Sequence, residues 1–599
     1  MKRNRATGII LFLLLVFNVF ANVDDDNHQE KLNWTSPNGY LHTEVLEGTR
    51  YEIGKKAAEL SNLKYEDTMM FRMNKFYDDY FYNATKSEFL SAIAKYIYDI
   101  RVTNRMIKNI NPDDREFLKG MAEYYGVKPK EIEKAFITPD GLHSVVTDAL
   151  KILNFANKLT KKEKNFRRKF LSRTISCSSF SAYGQKTADG SRIFGRNLDY
   201  IGLGVFDKAT AVYLIKPTNG YKYVGIGPKG FPNPGISGMN EHGLVLSTHS
   251  VFTKKYNISK SAPVLSINRL VLEKAKTIEE AFELYGKNPV FTGWMIHISD
   301  RHPQTKSPRS AVIELNPEGN TIVWSKNNYM VLSNHYLSDV QRKREPYTYE
   351  GVRIHNEDRY KRLKQLVEET DIDLVRSVEI LRDSYSPYSS SQVEFSPSSI
   401  IVPNQVNSII FYPDSLKFYV SEGPAPTSVR GFYEFSFEQL ENKRPPKYTP
   451  QLAAGTSDGF DSFISAYNEL GHNNNPVAAE AHLERAHQQS MDCSYDLIYG
   501  AVLITNQKLQ KALEVLQTAR VCSHYNPQQL AISNFFIGLI HQYWGNILVS
   551  DEYYEYALLL TTSDGLKKQI ATLIKQLKLD FEEVKDLADI DIEYMDSIW

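Results

Sequence analysis

The sequence predicts an α+β fold, in which a mainly antiparallel sheet domain lies between two helical regions. Apolar side chains recur at helical spacing in residues 39–170, and the chain turns helical again after residue 460. Between them, residues 174–437 break into short apolar or alternating runs separated by Gly, Asn, Asp and Pro. Such runs are typical of strands joined by hairpins. Helices segregated from antiparallel strands define the α+β class.

The amino terminus has the features of a secretory signal peptide. A basic start precedes an apolar run and Val19-Phe20-Ala21, which fits a small-x-small cleavage pattern. We therefore predict a signal peptide at residues 1–21. An uncleaved anchor is the alternative, although residues 8–21 are shorter than the ~20 residues that span a bilayer. The mature chain is expected to be secreted or otherwise extracytoplasmic, with no membrane span after signal removal.

Residues 22–176 form the predicted helical amino-terminal region, which ends in a strongly basic stretch. Residues 158–173 carry many Lys and Arg side chains and a single acid, Glu163. A solvated linker is one interpretation, and a segment exposed to proteases beside a cleavage site is the other. The whole chain has 71 basic and 71 acidic residues, so its formal charge is zero. That balance argues against nucleic acid as a partner.

The predicted sheet domain spans residues 177–440 and includes helical stretches at 266–276, 278–285 and 356–370. A polar, proline-containing linker is predicted at 441–459. Together with the flanking regions, this divides the chain into an amino-terminal segment, a sheet domain and a tail. A chain of 599 residues is long enough for several such units.

Residues 460–599 are predicted to form an all-α domain. Ala486, Ala519 and Ala557 recur at steps that suit helix hairpins, where small residues let paired helices approach closely. Gly500 and Gly538 each precede one of these alanines by the same interval. The pattern resembles degenerate tetratricopeptide (TPR) repeats, and an alanine-rich helical bundle is the alternative. A repeat domain would offer a surface to a protein partner.

Three cysteines occur, too few for a disulfide scaffold or a four-cysteine zinc site. Cys493 and Cys522 lie about one repeat apart in the tail. In an oxidising compartment they could pair, and two inert buried thiols are the alternative. Cys177 stands apart from both.

Cys177 lies at the switch from the basic helical region to the first strand-like run, in T-I-S-C-S-S-F-S. A nucleophile that opens a strand behind a removable segment suggests an enzyme whose active chain begins at that residue. A thiol titrates near ~8.5 and a terminal amine near ~7.7, so the amine can accept the thiol proton. One residue would then supply both nucleophile and base. A small buried hydrophobic residue is the alternative.

Polar residues further along the chain favour the catalytic interpretation. Arg196 and Asp199 follow a predicted hairpin, on what should be the strand beside Cys177. A guanidinium near the thiol favours the thiolate, and a carboxylate could hold the terminal amine. Asn334 ends another predicted strand, where its amide can donate to a developing oxyanion.

Several ordered motifs resemble one family. The sequence resembles the peptidase C45, or penicillin (isopenicillin N) acyltransferase-like, group of amino-terminal-nucleophile (Ntn) hydrolases in the choloylglycine hydrolase superfamily. The resemblance extends over residues 40–426. The motifs that carry it are C-S-S-F at Cys177, G-R-N-L-D at Gly195, N-E-H-G-L at Asn240 and L-S-N-H-Y at Leu332.

The resemblance implies a four-layer αββα core and self-cleavage between Ser176 and Cys177. It implies that Cys177 acts as nucleophile and base, that Arg196 and Asp199 activate it, and that Asn334 donates to the oxyanion. A second arginine is typical of such sites. The implied catalytic residues are Cys177, Arg196, Asp199, Asn334 and, for the second arginine, Arg359.

The sequence departs from the family after N-E-H-G-L. An asparagine or tyrosine often completes the oxyanion hole there, whereas this chain offers His249 or Ser250. Backbone N–H groups also serve such holes, so this departure does not exclude activity.

Two other chemistries are alternatives to the Ntn mechanism. A Cys-His dyad would pair Cys177 with a histidine, but no papain-type sequence surrounds the cysteine. A histidine metal site lacks spaced carboxylates, and the predicted chemistry needs no metal or cofactor. The histidines considered are His242, His249, His297 and His335.

The predicted function is an exported, self-processing hydrolase of the amide bonds of small N-acyl compounds. An acyltransferase that uses the same thioester acyl-enzyme is equally compatible with the residues. The alternative from another class is an inactive Ntn fold that acts as a scaffold, with the TPR-like tail binding a partner.

Overall fold

The fold is that of a computed structural model of the 599-residue chain. The structure describes residues 33–590 and 595, apart from 86, 156–175, 201–203, 233–235, 347–349, 370, 472, 474 and 491. The predicted signal peptide and the basic stretch 158–173 lie outside the described residues. Within the described ranges, no helix is both long enough and apolar enough to cross a membrane.

The described residues form 17 strands and a larger number of helices. In chain order the strands are β1 (Leu41–Gly48), β2 (Ser176–Ala182), β3 (Ile193–Asp199), β4 (Thr210–Pro217), β5 (Tyr223–Pro228), β6 (Ser237–Asn240), β7 (Val245–Ser250), β8 (Trp294–Arg301), β9 (Pro308–Leu315), β10 (Thr321–Trp324), β11 (Tyr329–Leu332), β12 (Tyr385–Ser386), β13 (Ser391–Gln392), β14 (Gln405–Tyr412), β15 (Lys417–Ser421), β16 (Phe432–Ser436) and β17 (Lys447–Thr449).

The α-helices are numbered in the same way. They are α1 (Arg50–Ser61), α2 (Met69–Thr85), α3 (Glu88–Tyr98), α4 (Asn104–Lys108), α5 (Pro112–Tyr125), α6 (Pro129–Phe155), α7 (Val264–Lys274), α8 (Ile278–Lys287), α9 (Asp339–Arg342), α10 (Glu350–Glu369), α11 (Leu374–Leu381), α12 (Phe437–Glu441), α13 (Asp458–Gly471), α14 (Pro476–Gln489), α15 (Asp496–Thr505), α16 (Leu509–Ala519), α17 (Pro527–Tyr543), α18 (Ile547–Leu560), α19 (Asp564–Leu573) and α20 (Phe581–Leu587).

Two large sheets contain most of the strands. The first sheet has eight strands in the order β1-β4-β5-β6-β7-β8-β9-β10, and the second has seven in the order β11-β2-β3-β14-β15-β16-β17. Neighbouring strands are antiparallel except for β1 and β4, which run parallel. β12 and β13 form a separate two-stranded ladder. The mainly antiparallel sheet and the α+β class predicted from the sequence are confirmed.

The two sheets pack face to face between helices. Val212 of the first sheet and Phe411 of the second lie in one buried apolar cluster between them. On the outer face of the first sheet, Tyr213 packs in a cluster with amino-terminal helices and α7. On the outer face of the second sheet, Ile410 shares a cluster with Leu363 of α10. The layer order is therefore helix, sheet, sheet, helix, as the family resemblance implies.

Each strand-like run predicted between residues 174 and 437 is a strand, and the three helical stretches predicted there are α7, α8 and α10. The prediction missed β1, β6, β12, β13, β16, β17, α9, α11 and α12. β17 lies inside the predicted linker 441–459 and extends the second sheet by pairing with β16. Part of the predicted linker is therefore paired with the sheet, which the sequence pattern did not indicate.

Strand β1 corrects the expectation that residues 22–176 are helical. It pairs in parallel with β4 along its whole length and so belongs to the core sheet. Both faces of β1 are largely buried, and they include His42 and Glu44. Charged side chains on a buried strand weaken the alternation on which strand prediction relies. Helix α1 begins directly afterwards, where Thr49 and Glu52 form a capping box.

Glu44 predicts a pH-dependent stability. It is 1% exposed, and neither carboxyl oxygen has a hydrogen-bond partner among the described residues. Burial raises its pKa to about 8, against a smaller opposite effect of Lys229. Because folding raises this pKa, the contribution of Glu44 to stability is full below its ordinary pKa. It is lost as the pH rises through about 8.

Replacing Glu44 with glutamine keeps the side chain neutral at every pH. We expect Glu44→Gln to unfold like the wild type near pH ~4 and to be more stable by on the order of 4 kcal/mol above pH ~9. Urea unfolding at both pH values measures the difference, and Glu47→Gln on the same strand, where the side chain is 72% exposed, is the control. An equal effect at both pH values would contradict the assignment.

The carboxy-terminal helices pack in successive pairs. A Cβ atom on Gly500 would lie 2.5 Å from Leu516, and one on Gly538 would lie 2.6 Å from Tyr554. These glycines therefore allow close contact of α15 with α16 and of α17 with α18. This explains the spacing of glycine and alanine seen in the sequence. The likeness to TPR repeats stays a prediction.

A disulfide joins Cys493 and Cys522. The sequence left open a disulfide or two inert buried thiols, and the structure contains the disulfide. The bridge lies beside contacts between the tail and the sheet domain, where Ser386 donates a hydrogen bond to the His524 carbonyl. Cys177 is the free cysteine and is buried.

Candidate active site

Cys177 is the second residue of β2 and lies on the face that points toward the first sheet. Its side chain is fully buried. The Sγ atom accepts a hydrogen bond from Nη2 of Arg196 at 3.2 Å and lies 3.6 Å from the Thr248 carbonyl oxygen. The thiol is thus held between the two sheets, against a cation from β3 and a backbone carbonyl from β7.

Arg196 is a fully buried cation placed by strand pairing. It lies opposite Ser179 in the β2–β3 ladder, on the same face as Cys177. Its Nη2 also donates to the Thr248 carbonyl at 2.8 Å. Its Nε and Nη1 have no hydrogen-bond partner in the described part of the chain. Burial lowers the pKa of Arg196, whereas the Cys177 thiolate and Asp199 raise it.

The thiol is protonated at neutral pH in this uncut chain. Burial raises the pKa of Cys177 to about 11. The guanidinium of Arg196 acts in the opposite direction, and the charge of Asp199 adds to the increase. Attack by sulfur therefore requires a nearby group that accepts the thiol proton.

Asn334 contacts the backbone nitrogen of Cys177. It follows β11, and its Oδ1 accepts the Cys177 N–H at 2.8 Å. Its Nδ2 donates to the Ser250 carbonyl at 3.0 Å. Buried Glu314 holds the loop after Asn334 by accepting the backbone N–H groups of Leu337 and Ser338. The amide therefore orients the nitrogen of the nucleophile. The predicted donation to an oxyanion would require Nδ2 to leave Ser250.

Arg359 of α10 connects these groups. Its Nη1 donates to the Cys177 carbonyl at 2.8 Å and to Ser178 Oγ at 3.0 Å. Its Nη2 donates to Asn334 Oδ1 at 3.1 Å. The arginine inferred from the resemblance therefore lies in the same cluster as Cys177 and Asn334, and it is fully buried.

Asp199 ends β3 and lies opposite Ser176 in the β2–β3 ladder. It is fully buried, and neither carboxylate oxygen has a hydrogen-bond partner among the residues described. An Nη1 atom of Arg359 lies 4.0 Å away. Burial raises the pKa of Asp199 to about 7, although Arg359 and Arg196 act to lower it. Such a carboxylate is suited to a further cation, such as a terminal ammonium at Cys177.

The structure separates His249 from Ser250. The His249 ring points into the space between the sheets, where Nε2 lies 2.8 Å from Ser179 Oγ and 3.3 Å from Ser247 Oγ. Ser250 ends β7 and contacts Asn334. Of the two oxyanion candidates, only Ser250 therefore touches a group that contacts Cys177. The oxyanion role itself stays a prediction.

A histidine base for Cys177 is not present in this arrangement. Among the residues that the structure describes, no histidine nitrogen lies within hydrogen-bond reach of the thiol. His297 bridges Ser179 and Ser181, and His335 lies against Ser333. His242 stacks edge-on against Tyr221. The Cys-His dyad considered from the sequence is therefore not formed.

Beside the nucleophile lies a second set of buried polar residues, of which sequence reasoning singled out His297 alone. Ser179, Ser181 and His297 form a hydrogen-bonded chain between the sheets, beside Cys177 on the same face of β2. His355 contacts Ser176 from the opposite side. A sequence signal for these residues exists in C-S-S-F-S, because Cys177, Ser179 and Ser181 alternate along the strand and therefore lie on one face.

An apolar cavity lies beside the nucleophile. Leu198, which faces Cys177 in the β2–β3 ladder, and Thr248 form its inner wall. Cys177 packs in the same apolar cluster as several of the lining residues. The cavity is lined by Met69, Met73, Pro139, Leu198, Tyr200, Phe206, Pro228, Phe231, Ile236, Thr248, Leu265 and Trp294.

Potential metal ligands group at one place in the described residues, away from this site. Cys493, Cys522 and His524 bring their ligand atoms within 4.8 Å of one another. The two sulfur atoms are joined in the disulfide and are not free thiolates. Zinc binding by cysteine requires the thiolate form.

Two packed sheets between helical layers, with Cys177 buried at the start of β2 and Arg196 buried on the neighbouring strand β3, define an Ntn-hydrolase-like fold. Residues 186–400 match the family described as "Acyl-coenzyme A:6-aminopenicillanic acid acyl-transferase". This match confirms the resemblance predicted from the motifs. The matched stretch contains Arg196, Asp199, Asn334 and Arg359 and begins after Cys177. It favours an enzyme of amide hydrolysis or acyl transfer.

Among solved structures, the chain is similar to "Caenorhabditis elegans N-acylethanolamine-hydrolyzing acid amidase (NAAA) ortholog", with 18% sequence identity and a TM-score of 0.28. The similarity covers 40% of this chain and 93% of that chain. No curated protein matches the chain.

Proposed function

We propose that the protein is an exported cysteine Ntn hydrolase that cleaves itself before Cys177 and then hydrolyses, or transfers the acyl group of, small N-acyl amides. One observation carries the proposal. Asn334 and Arg196 separately hold the backbone nitrogen and the sulfur of the same buried residue, at 2.8 and 3.2 Å. A residue that supplies both base and nucleophile needs both of its atoms to be fixed.

Self-cleavage is the first reaction. The sulfur of Cys177 attacks the Ser176 carbonyl carbon, the C–N bond between the two residues breaks, and the thiol proton passes to the released amine. Water then attacks the thioester, so that the C–S bond breaks and the thiol is regenerated. Cleavage leaves a carboxylate on Ser176 and a free α-amine on Cys177. Asn334 Oδ1 already accepts a hydrogen bond from that nitrogen.

The new amine changes the electrostatics of the site. An α-amine titrates near ~7.7, so it can take the thiol proton at neutral pH. In its protonated form it adds a cation near Asp199, whose carboxylate has no hydrogen-bond partner among the described residues. The guanidinium of Arg196 stabilises the thiolate. In turnover, the sulfur attacks the substrate carbonyl, the ammonium protonates the leaving amine, and water or a second amine takes the acyl group.

The apolar cavity supports a substrate whose acyl group is apolar. It lies against Leu198 and Thr248, next to the sulfur that would carry the acyl group. Its side chains are almost all apolar, which favours an apolar acyl group over a polar one. Met69 and Met73 of α2 also line it, so the amino-terminal region would remain part of the enzyme after cleavage.

The proposal also includes an extracytoplasmic location and a protein partner for the carboxy-terminal helices. The Cys493–Cys522 disulfide supports an oxidising, extracytoplasmic compartment. The close helix pairs at Gly500 and Gly538 support a TPR-like tail that binds a protein partner.

Amine release from a series of N-acyl amides with acetyl to long-chain acyl groups tests the activity and the acyl site together. Ile236 lines the cavity and is only partly buried. We expect Ile236→Trp to raise KM for long-chain amides about tenfold, within the cost of overpacking a site, and to leave short-chain amides unaffected. Ile236→Ala is the control, because it enlarges the cavity.

Two results would count against this account. An unchanged chain-length profile in Ile236→Trp would remove the acyl site from the cavity. Absence of amine release from every amide, by a chain that begins at Cys177, would leave the scaffold alternative.

A further inference from the structure

Ser176, the residue on the other side of the proposed cleavage bond, has a buried partner that the mechanism above does not use. Its Oγ lies 3.3 Å from Nε2 of His355 on α10. The histidine is fully buried and the serine is 2% exposed. On the same helix, one turn further along, Arg359 donates to the His355 carbonyl and to the Cys177 carbonyl. Helix α10 therefore contacts both residues that flank the bond.

The contact of His355 Nδ1 decides whether Nε2 donates or accepts a hydrogen bond. Nδ1 of His355 lies 2.5 Å from the Pro397 carbonyl oxygen, which can only accept a hydrogen bond. Nδ1 must therefore carry the proton. Burial lowers the pKa of His355 well below its ordinary value, and Arg359 acts in the same direction, so the ring is neutral. Its unprotonated Nε2 then accepts a hydrogen bond from the Ser176 hydroxyl.

The segment that carries Pro397 is itself anchored from two directions. Ser398 donates to Asp358 of α10, and the backbone N–H of Phe395 donates to Ser494 of the tail. The backbone N–H of Glu394 donates to Asp492. The tautomer of His355 is therefore fixed by a segment held between α10 and the carboxy-terminal helices.

We infer that His355 is a positioning residue for self-cleavage, which acts by holding the Ser176 hydroxyl so that the Ser176 carbonyl is presented to the Cys177 sulfur. The inference rests on the proposed function. Strand pairing with Asp199 fixes one side of Ser176, and the histidine fixes its side chain. No proton or bond changes at His355 during the reaction. Its contact serves the first reaction only, because Ser176 is on the other fragment once the bond is cut.

Cleavage of the full-length chain, made by cell-free synthesis and followed on a gel, tests this inference. Ser176→Ala and His355→Ala each remove one partner of the same contact. We expect each to lengthen the half-time of cleavage about tenfold, the effect of one lost positioning hydrogen bond. The double variant is expected to be slowed about tenfold as well, because both changes remove one interaction. His42→Ala on β1 is the control for loss of a buried histidine and should cleave like the wild type.

Cleavage of Ser176→Ala at the wild-type rate would overturn the inference, as would a double variant slowed by the product of the single effects. Thermal melting of each uncut chain shows whether His355→Ala folds. If it does not fold, His355→Gln replaces it, and cleavage of either Ser176→Ala or His355→Gln at the wild-type rate would overturn the inference. A wild-type chain that is never cut before Cys177 would instead contradict the proposed function, so the two failures are distinguishable.

Discussion

Replacing Cys177 with alanine is expected to abolish amide turnover, by about 10⁴-fold or more. The sulfur is the atom that forms the acyl-enzyme, and no other nucleophile lies at the meeting point of Arg196 and Asn334 in the described residues. Amine release from the best substrate of the acyl series measures the effect. The variant chain should also remain uncut.

Ser181→Ala is the matched control for Cys177→Ala. Ser181 lies on the same face of β2 and hydrogen-bonds to His297 rather than to the nucleophile. We expect this variant to be cut and to keep turnover within about tenfold of the wild type, because it loses a single hydrogen bond. Measurable turnover by Cys177→Ala above the uncatalysed rate would contradict the assignment of the nucleophile.

Replacing Arg196 is expected to have the second-largest effect. Its guanidinium contacts both the thiol and the Thr248 carbonyl, and it counteracts the rise that burial causes in the pKa of Cys177. Removing this cation raises the thiol pKa further, so the thiolate fraction at a fixed pH falls. We expect Arg196→Met to lower turnover by about 10²-fold to 10³-fold. The turnover of Arg196→Lys should lie between that of the wild type and that of Arg196→Met, because lysine keeps the charge but cannot bridge both acceptors.

Alkylation of Cys177 with iodoacetamide as a function of pH separates this effect from a loss of folding. The midpoint should move to higher pH in Arg196→Met than in the wild type. Arg192→Lys is the control, because Arg192 is buried on the same segment but pairs with Asp414 at 2.7 Å. An alkylation midpoint that does not move in Arg196→Met would show that this arginine does not stabilise the thiolate.

The sequence predicted the sheet domain well because its signals are local. Alternation and turn residues mark strands such as β4, β8 and β9 without reference to the rest of the chain. β1 was missed for the same reason. It pairs with a parallel strand more than a hundred residues away, both of its faces are covered by neighbouring layers, and Glu44 interrupts its apolar pattern.

The site could be predicted as a set of residues but not as an arrangement. Motif resemblance singled out Cys177, Arg196, Asn334 and Arg359, and the structure brings all four into contact. It could not show that Asn334 uses its oxygen for the Cys177 nitrogen, because amide orientation depends on Ser250 from another strand. Contacts such as that of His355 with Ser176 join positions far apart in the chain and leave no local pattern.

The central claim is that the active chain begins at Cys177, and the intact mass of the purified protein tests it most directly. The account predicts two fragments from the wild type, with Cys177 as the first residue of the carboxy-terminal one, and a single uncut chain from Cys177→Ala. A wild-type protein that remains one chain while it hydrolyses N-acyl amides would contradict the account.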